Sequence, residues 1–473
     1  MASRTAAKAK KAPAKKSAKK SAAKKSAPKK APAKKATAKK SAAKKSAAKK
    51  APAKKTAAKK SGAAGSKAES VGMSTARLKR INPVMQAYID SGALIGINVR
   101  INRRGKTVFS ENYGKRDREN NKSMKDDTIF RIYSMTKPVV STALMLLVEE
   151  GKVRLIDPVA KFIPAFAATK VMQPDGQLVD QTSIMQVRHL RMPTSGLSYD
   201  FLVDFPVCQQ YRDAKLMADP TRNLEQLIDA LAGIPLAFQP GSKWNYSLGI
   251  DVAARIVEVA SGQPLRTFLQ ERIFGPLGMK DTGFGVPAKK LDRLAAMYGH
   301  PDLCGEGANL LDIFSPPTMG SNERRDVSGT YPTDTPDVFV RGGLGLFSTI
   351  GDYMAFAQML CNGGELNGKR IIGRKTLELA HSNHVPAELL PYELAGLPNP
   401  GWGFGMGSRV MMDVAATGGA GSVGEFGWAG AAKTYYWVDP AEQLVGVLMT
   451  QSMVGLEIPE QDLRTLAYQA IID

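Results

Sequence analysis

Cysteine is scarce in this chain. Three occur in 473 residues, at Cys208, Cys304 and Cys361, and no C-x-x-C pair is present. A set that is odd and scattered excludes a disulfide framework and suits a reducing compartment. Histidine is nearly as rare, with His189, His300, His381 and His384. His381 and His384 stand at i, i+3, but no nearby cysteine and no H-E-x-x-H pattern joins them, so no metal site is expected. No apolar run approaches the roughly 18–20 residues of a membrane span. The longest, around Val139–Val148, is interrupted by Ser141 and Thr142. The N-terminus is basic but no apolar segment follows it, so it does not read as a secretory signal. The expectation is a soluble, cytoplasmic protein. A G-x-S-x-G elbow is absent from the body, which excludes the usual strand-turn-helix setting of a Ser-His-Asp hydrolase.

Acidic residues are missing altogether from positions 1–66, and so are aromatics. That stretch holds 23 lysines and one arginine. The formal net charge of +23 is therefore a property of the tail, because the remaining chain carries 42 basic and 43 acidic residues. Lys-Lys pairs recur almost every five residues, from Lys10-Lys11 to Lys59-Lys60. A step of five turns a helix by about 140°, so the charges would spread all round it. Like charges repel, Pro13, Pro28, Pro32 and Pro52 interrupt any helix, and nothing is available to bury. Disorder is expected, followed by a flexible linker at Ser61-Gly-Ala-Ala-Gly-Ser66. Regular lysines without aromatics suit a phosphate backbone and have no means of reading bases. Non-specific binding to DNA, RNA or another polyanion is the expectation for residues 1–66, with a nucleoid location as one consequence. A solubilising tail is the plain alternative.

From about residue 67 the composition becomes globular, and residues 67–473 read as one domain. Met73–Ser91 has helical spacing of Leu78, Ile81, Val84 and Met85. Residues 94–102 alternate as a strand, Arg103-Arg104-Gly105-Lys106 makes a turn, and Val108–Tyr113 returns as the second arm of a hairpin. Ser134–Gly151 reads as a buried helix. Residues 152–340 mix helical segments with Pro/Gly loops. Lys433–Val438 and Leu444–Met449 read as strands, and Gln461–Ile472 as a closing helix. Strands at both ends with helices between them predict an α/β (α+β) fold. One antiparallel sheet is built from both chain ends and flanked by helices, with a helical insertion in the middle.

The chemistry-bearing candidate is Ser134-Met135-Thr136-Lys137, an S-x-x-K sequence opening a predicted helix. Residues i and i+3 share a helix face, so the lysine amine can sit beside the serine oxygen. The helix N-terminus adds N–H groups and a positive dipole end, which favour negative charge on an attacked carbonyl. The pattern alone is worthless, since the tail repeats it at Ser17…Lys20, Ser21…Lys24 and elsewhere. At Ser134 the plain alternative is a helix-capping serine followed by a solvated lysine.

The surrounding blocks add weight. Phe130–Lys137 resembles the nucleophile region of class C β-lactamases and the family VIII carboxylesterases. The likeness continues in order through Leu155-Ile156-Asp157-Pro158, Val187-Arg188-His189-Leu190, Thr194-Ser195-Gly196-Leu197, Trp244–Gly249, Gly342–Leu346 and Gly424–Ala432. It covers nearly all of residues 75–473. The resemblance implies a β-lactamase/transpeptidase-like fold and an acyl-serine mechanism without a cofactor. By motif it implies Ser134 as nucleophile, Lys137 as the cation beside it, and Tyr246 as general base and then acid. A free tyrosine titrates at about 10, so base action near neutrality calls for a nearby cation, and a lysine supplies one. The implied oxyanion hole uses the backbone N–H groups of Ser134 and Ala431.

Departures from the lactamase pattern are as informative. Where Tyr-x-Asn is common, this chain has Tyr246-Ser247-Leu248, so an amide gives way to an apolar side chain. Where Lys-Thr-Gly is common, it has Trp428-Ala429-Gly430, which removes a cation suited to a substrate carboxylate. Lys433-Thr434-Tyr435 lies five residues on, lacks the glycine, and reads as strand. A tryptophan third motif resembles the esterase branch. With Leu248, Trp428, Ala429 and Gly430 around the pocket, a small neutral ester is the expected substrate. A β-lactamase, D-amino-acid peptidase or acyltransferase would run on the same machinery. A reading of another class is a nucleic-acid-binding protein whose hydrolase body is idle.

Overall fold

The computed structural model describes residues 65–473 apart from 203–204, 300–301, 303, 306–321, 395 and 454–457. The expected disordered tail and His300 lie outside the described residues. The expected linker lies there in part, but its last two residues open a short helix, Gly65–Glu69. Tertiary contacts override the glycine there. Ala68 is fully buried in the core, and the Glu69 carboxylate accepts the Thr75 N–H at 2.9 Å.

The predicted helix at Met73–Ser91 is two pieces, Thr75–Leu78 and α1 (Ile81–Asp90). β1 (Gly96–Arg103) and β2 (Lys106–Asp117) form the predicted hairpin. Arg104 and Gly105 both adopt left-handed backbone, at φ 49° and 72°, as a two-residue primed turn requires. β3 (Lys122–Ser123) pairs with the far end of β2. The other half of the sheet comes from the chain's end: β4 (Trp402–Phe404), β5 (Arg409–Met411), β6 (Phe426–Ala429), β7 (Tyr435–Asp439) and β8 (Leu444–Thr450). The order is β4-β5-β6-β7-β8-β1-β2-β3, with every pairing antiparallel. Ile97 faces Thr450 and Arg103 faces Leu444, so β1 and β8, the first and last strands of this sheet in chain order, pair directly.

Both faces of the sheet are covered, which explains why β7 and β8 are apolar at nearly every position. Tyr435, Trp437, Leu444 and Leu448 pack towards the terminal helices. Tyr436, Val438, Val445, Val447 and Met449 pack towards the central helices. The Trp437 indole lies directly over Gly446, where any side chain would collide with it. The chain ends are tied to β1 through buried Arg103. It donates to the Gly72 carbonyl at 2.7 Å and pairs with Glu442 at 2.7 Å and Asp473 at 2.6 Å.

The helical layer contains α2 (Thr136–Glu149), α3 (Gly249–Ser261) and α4 (Ile350–Cys361), and α5 (Pro459–Tyr468) closes the opposite face. Residues 136–147 of α2 are all buried, which is the mark of a helix enclosed by its own domain. α3 packs against it, and Gly249 lets the start of α3 lie against the Leu190 carbonyl. The expected β-lactamase-like architecture, with a helical insertion between the two halves of the sheet, is the architecture found. Lys433 and Thr434, expected in a strand, lie in the turn before β7. Lys433 sits at φ 56°, outside strand geometry. Among the described residues no helix is long and apolar enough to cross a membrane.

Candidate active site

Ser134 lies in a short 3-10 turn, Tyr133–Met135, that leads into α2. The residue before it, Tyr133, is held at φ 43°, a left-handed conformation rare for a bulky side chain. Packing fixes that strain. The Tyr133 ring is 2% exposed and meets Tyr331 edge-on at 5.0 Å. The left-handed residue opens the 3-10 turn that places Ser134 at the head of α2. Its hydroxyl is not a helix cap. It accepts instead from Lys137 Nζ at 3.1 Å, the contact that the i, i+3 spacing predicts.

Lys137 is 3% exposed, so its amine needs partners. Its second hydrogen bond goes to the Gly343 carbonyl at 2.7 Å. Its remaining surroundings are aromatic, with the ring centres of Tyr246 and Tyr199 at 4.5 and 5.3 Å. Tyr246 precedes α3 in a loop pinned by Asn245, whose N–H and side-chain amide donate to the Pro193 and Leu197 carbonyls. The Tyr246 hydroxyl accepts from the Trp428 indole N–H at 3.3 Å. Ser134, Lys137, Tyr246 and Trp428, from three separate stretches of sequence, thus form one contact chain.

Trp428 stands on β6 and packs edge-on against Phe404 at 5.0 Å. Phe404 continues to Trp244 and Tyr392, which stack on each other at 4.5 Å. Ala429 is exposed at the end of β6, and Gly430 follows. A side chain at Gly430 would collide with the Ile132 carbonyl and the Thr434 hydroxyl, so only glycine lets this strand end press against the backbone leading to Ser134. That approach carries Ala431 towards the nucleophile turn. Neither the Ser134 nor the Ala431 amide N–H takes part in a hydrogen bond among the described residues. Leu248 is 1% exposed and sits at the head of α3, as an apolar support beneath the site.

Sequence reasoning missed two groups beside Lys137. Tyr199 is fully buried, and burial with the adjacent Tyr246 and Asp251 pushes its hydroxyl well above the ordinary tyrosine range. Asp251 is 1% exposed, and its Oδ1 accepts the Gly343 N–H at 3.0 Å. A signal for it was present: an acid in the otherwise apolar start of α3, Gly249-Ile250-Asp251-Val252-Ala253. The histidines serve the framework. His189 Nδ1 accepts the Gln186 N–H, and burial lowers the ring to about 4. His381 stacks on Phe426 at 3.6 Å with Nδ1 against the Leu377 carbonyl, and burial lowers it to about 3. His384 Nε2 faces the Leu379 carbonyl, so the i, i+3 pair is turned towards the backbone.

The model of the family described as Beta-lactamase matches residues 81–470. The chain belongs to the β-lactamase family. A Mycobacterium tuberculosis protein is 33% identical over 377 residues, covering 78% of this chain and 88% of its own. Esterase EstB of Burkholderia gladioli is 30% identical over 381 residues, covering 79% and 90%. Among solved structures, EstCE1, described as a hydrolase with promiscuous acyltransferase activity, superposes with a TM-score of 0.70 at 27% identity. It covers 83% of this chain and 99% of its own. This family member is a serine hydrolase of the β-lactamase fold.

Proposed function

We propose that the protein is a carboxylesterase acting on small neutral esters, with Ser134 as its nucleophile. The observation that carries the reading is the 3.1 Å contact between Ser134 Oγ and a buried Lys137, flanked by Tyr246 and Trp428. The Ser134 hydroxyl gives its proton to the Lys137–Tyr246 pair as its oxygen attacks the ester carbonyl. The tetrahedral oxyanion is held by the N–H groups of Ser134 and Ala431. Collapse breaks the bond to the alcohol oxygen, which takes the proton back and leaves as alcohol. Water repeats the sequence on the acyl-serine and releases the carboxylic acid. Trp428 stands where the lactamases carry lysine, so this pocket lacks the cation that would fix a substrate carboxylate.

An acyltransferase reading differs only in the second acceptor, alcohol or amine in place of water, and the description of EstCE1 supports keeping it. The deciding experiment is covalent labelling with a fluorophosphonate, followed by peptide mass mapping and turnover of a short-chain p-nitrophenyl ester. One phosphonyl group on the Ser134 peptide, with parallel loss of turnover, is the expected result. Label on another serine, or turnover that survives full labelling, sinks the assignment. Adding a primary alcohol and measuring the ratio of new ester to free acid separates transferase from hydrolase.

We further propose that residues 1–66 are a tether for DNA, RNA or another polyanion, and residues 67–473 an independent hydrolase. The support is compositional: 23 lysines, no acid and no aromatic. Duplex DNA binding by the full chain should fall steeply with salt, by about 10³-fold or more between 50 and 200 mM if six or more phosphates are contacted. A chain beginning at residue 67 should lose that binding and keep ester turnover. Salt-independent binding, or binding that survives the deletion, refutes the tether. If cellular function needs the tail but ignores Ser134→Ala, the hydrolase body is a scaffold.

A further inference from the structure

Asp251 is a buried carboxylate that, among the described residues, forms no salt bridge. Its Oδ1 accepts the Gly343 N–H at 3.0 Å, while Oδ2 is buried without a hydrogen-bond partner. The other side of the same residue, the Gly343 carbonyl, accepts from Lys137 Nζ at 2.7 Å. Gly343 therefore joins the carboxylate to the candidate catalytic cation. A Cβ at position 343 would stand 2.5 Å from Asp251 Oδ2 and 2.7 Å from Tyr199 Oη, so the two orphaned oxygens converge on the α-carbon between them.

An unpaired buried carboxylate is expensive, by several kcal/mol in general. Packing does not require one here, because Val252 and Ala253 beside it on α3 are wholly buried and apolar. The groups that face Asp251 are few. Lys137 comes from α2, and Arg341 and the Gly342–Gly343 backbone from the segment before α4. Tyr199 comes from the loop after residue 192, with Tyr246, Asp200 and Cys304 around that ring. Arg341 is occupied elsewhere, donating to the Arg222 carbonyl at 2.9 Å and the Asp219 carbonyl at 3.0 Å. Burial raises the Asp251 carboxyl above its ordinary value, while the Gly343 N–H, Lys137 and Arg341 pull it down.

We propose that Asp251 is the counter-charge and positioning residue of Lys137, holding the Gly343 backbone in place so that its carbonyl keeps the ammonium on Ser134. This rests on the acyl-serine reading of the site. The Gly343 N–H and carbonyl belong to successive peptide groups joined at its α-carbon, so anchoring the N–H on Asp251 fixes the position of the carbonyl that accepts from Lys137. The anion also stabilises the ammonium through a medium of low dielectric. Asp251 touches no reacting atom.

The test compares wild type with Asp251→Asn and Asp251→Glu in the full chain. Active sites are counted by fluorophosphonate titration, so rates refer to folded molecules. Asparagine keeps an oxygen for the Gly343 N–H and removes the charge. Removing the negative charge should move the alkaline limb of kcat/KM to lower pH, a change that lost packing alone would not produce. kcat should fall about tenfold with little change in KM, the pattern of a lost transition-state contact. Glutamate should return the alkaline limb towards its wild-type position. A profile for Asp251→Asn that overlays wild type overturns the proposal while leaving Ser134 in place. So does failure of both variants to fold, which would make Asp251 a packing residue. A wild-type protein that takes no label on Ser134 withdraws both this proposal and the reading beneath it.

Discussion

Ser134→Ala is expected to lower kcat/KM for a p-nitrophenyl ester by about 10⁴-fold or more, with the fold intact. The substitution removes one oxygen from a half-buried turn. Lys137 keeps its 2.7 Å bond to the Gly343 carbonyl, so no buried cation is stranded. The strained Tyr133 backbone and its packing on Tyr331 do not depend on the hydroxyl. Stability should therefore stay within about 1 kcal/mol of wild type. The residual rate should exceed the uncatalysed one, since substrate binding and the N–H groups of Ser134 and Ala431 remain. Side-by-side progress curves and thermal melts check both halves. Equal rates in the two proteins would remove Ser134 from the mechanism and leave the lysine-rich tail as the main lead to function.

Glu425→Ala should destabilise the protein by about 3–5 kcal/mol, read as a shift in denaturant midpoint at unchanged slope. Glu425 has a side chain 1% exposed and sits immediately before β6. Both its oxygens accept from Arg464 Nη2 on α5, at 2.7 and 2.8 Å, and Oε2 also accepts from Tyr468 at 2.6 Å. Burial holds the Glu425 carboxyl above its ordinary value even though Arg464 pulls it down, so desolvation outweighs the pairing. The pair is thus not a large net source of stability. Its removal by halves is the costly event, because Arg464 would be left charged and buried. The double change Glu425→Leu with Arg464→Met should recover most of the loss. A single variant as stable as wild type, or a double variant no better than the single, would refute this account. Because Glu425 leads into Trp428-Ala429-Gly430, activity should fall earlier in denaturant than in wild type.

Much of this was legible in the sequence. The hairpin at Arg103–Lys106, the apolar α2 and the strands near both chain ends follow from periodicity, apolar runs and turn chemistry, which are local. So does the Ser134–Lys137 contact, because helix geometry puts i and i+3 on one face. The charge split between tail and body is pure composition. Boundaries were less legible. The helix expected over Met73–Ser91 is broken at Lys79–Arg80, and Lys433-Thr434 turns where a strand was expected, since hydrogen bonding to distant partners sets such ends.

Only the tertiary structure decided the rest. Trp428 meets Tyr246 across 182 positions of sequence, and the Gly343 carbonyl reaches Lys137 across 206. No local pattern encodes such distances. They arise because β1 and β8 pair directly and because Gly430 lets the end of β6 close on Ile132. Asp251 shows the same division. Its acidity within an apolar helix start was visible in the sequence, but what the charge faces depends on how α3 packs against α2 and on the path of the chain before α4. The sequence by itself determined which residues could carry acyl-transfer chemistry. Tertiary packing decided which of them stand within hydrogen-bonding distance, because burial, not proximity along the chain, selects the partners of a buried charge.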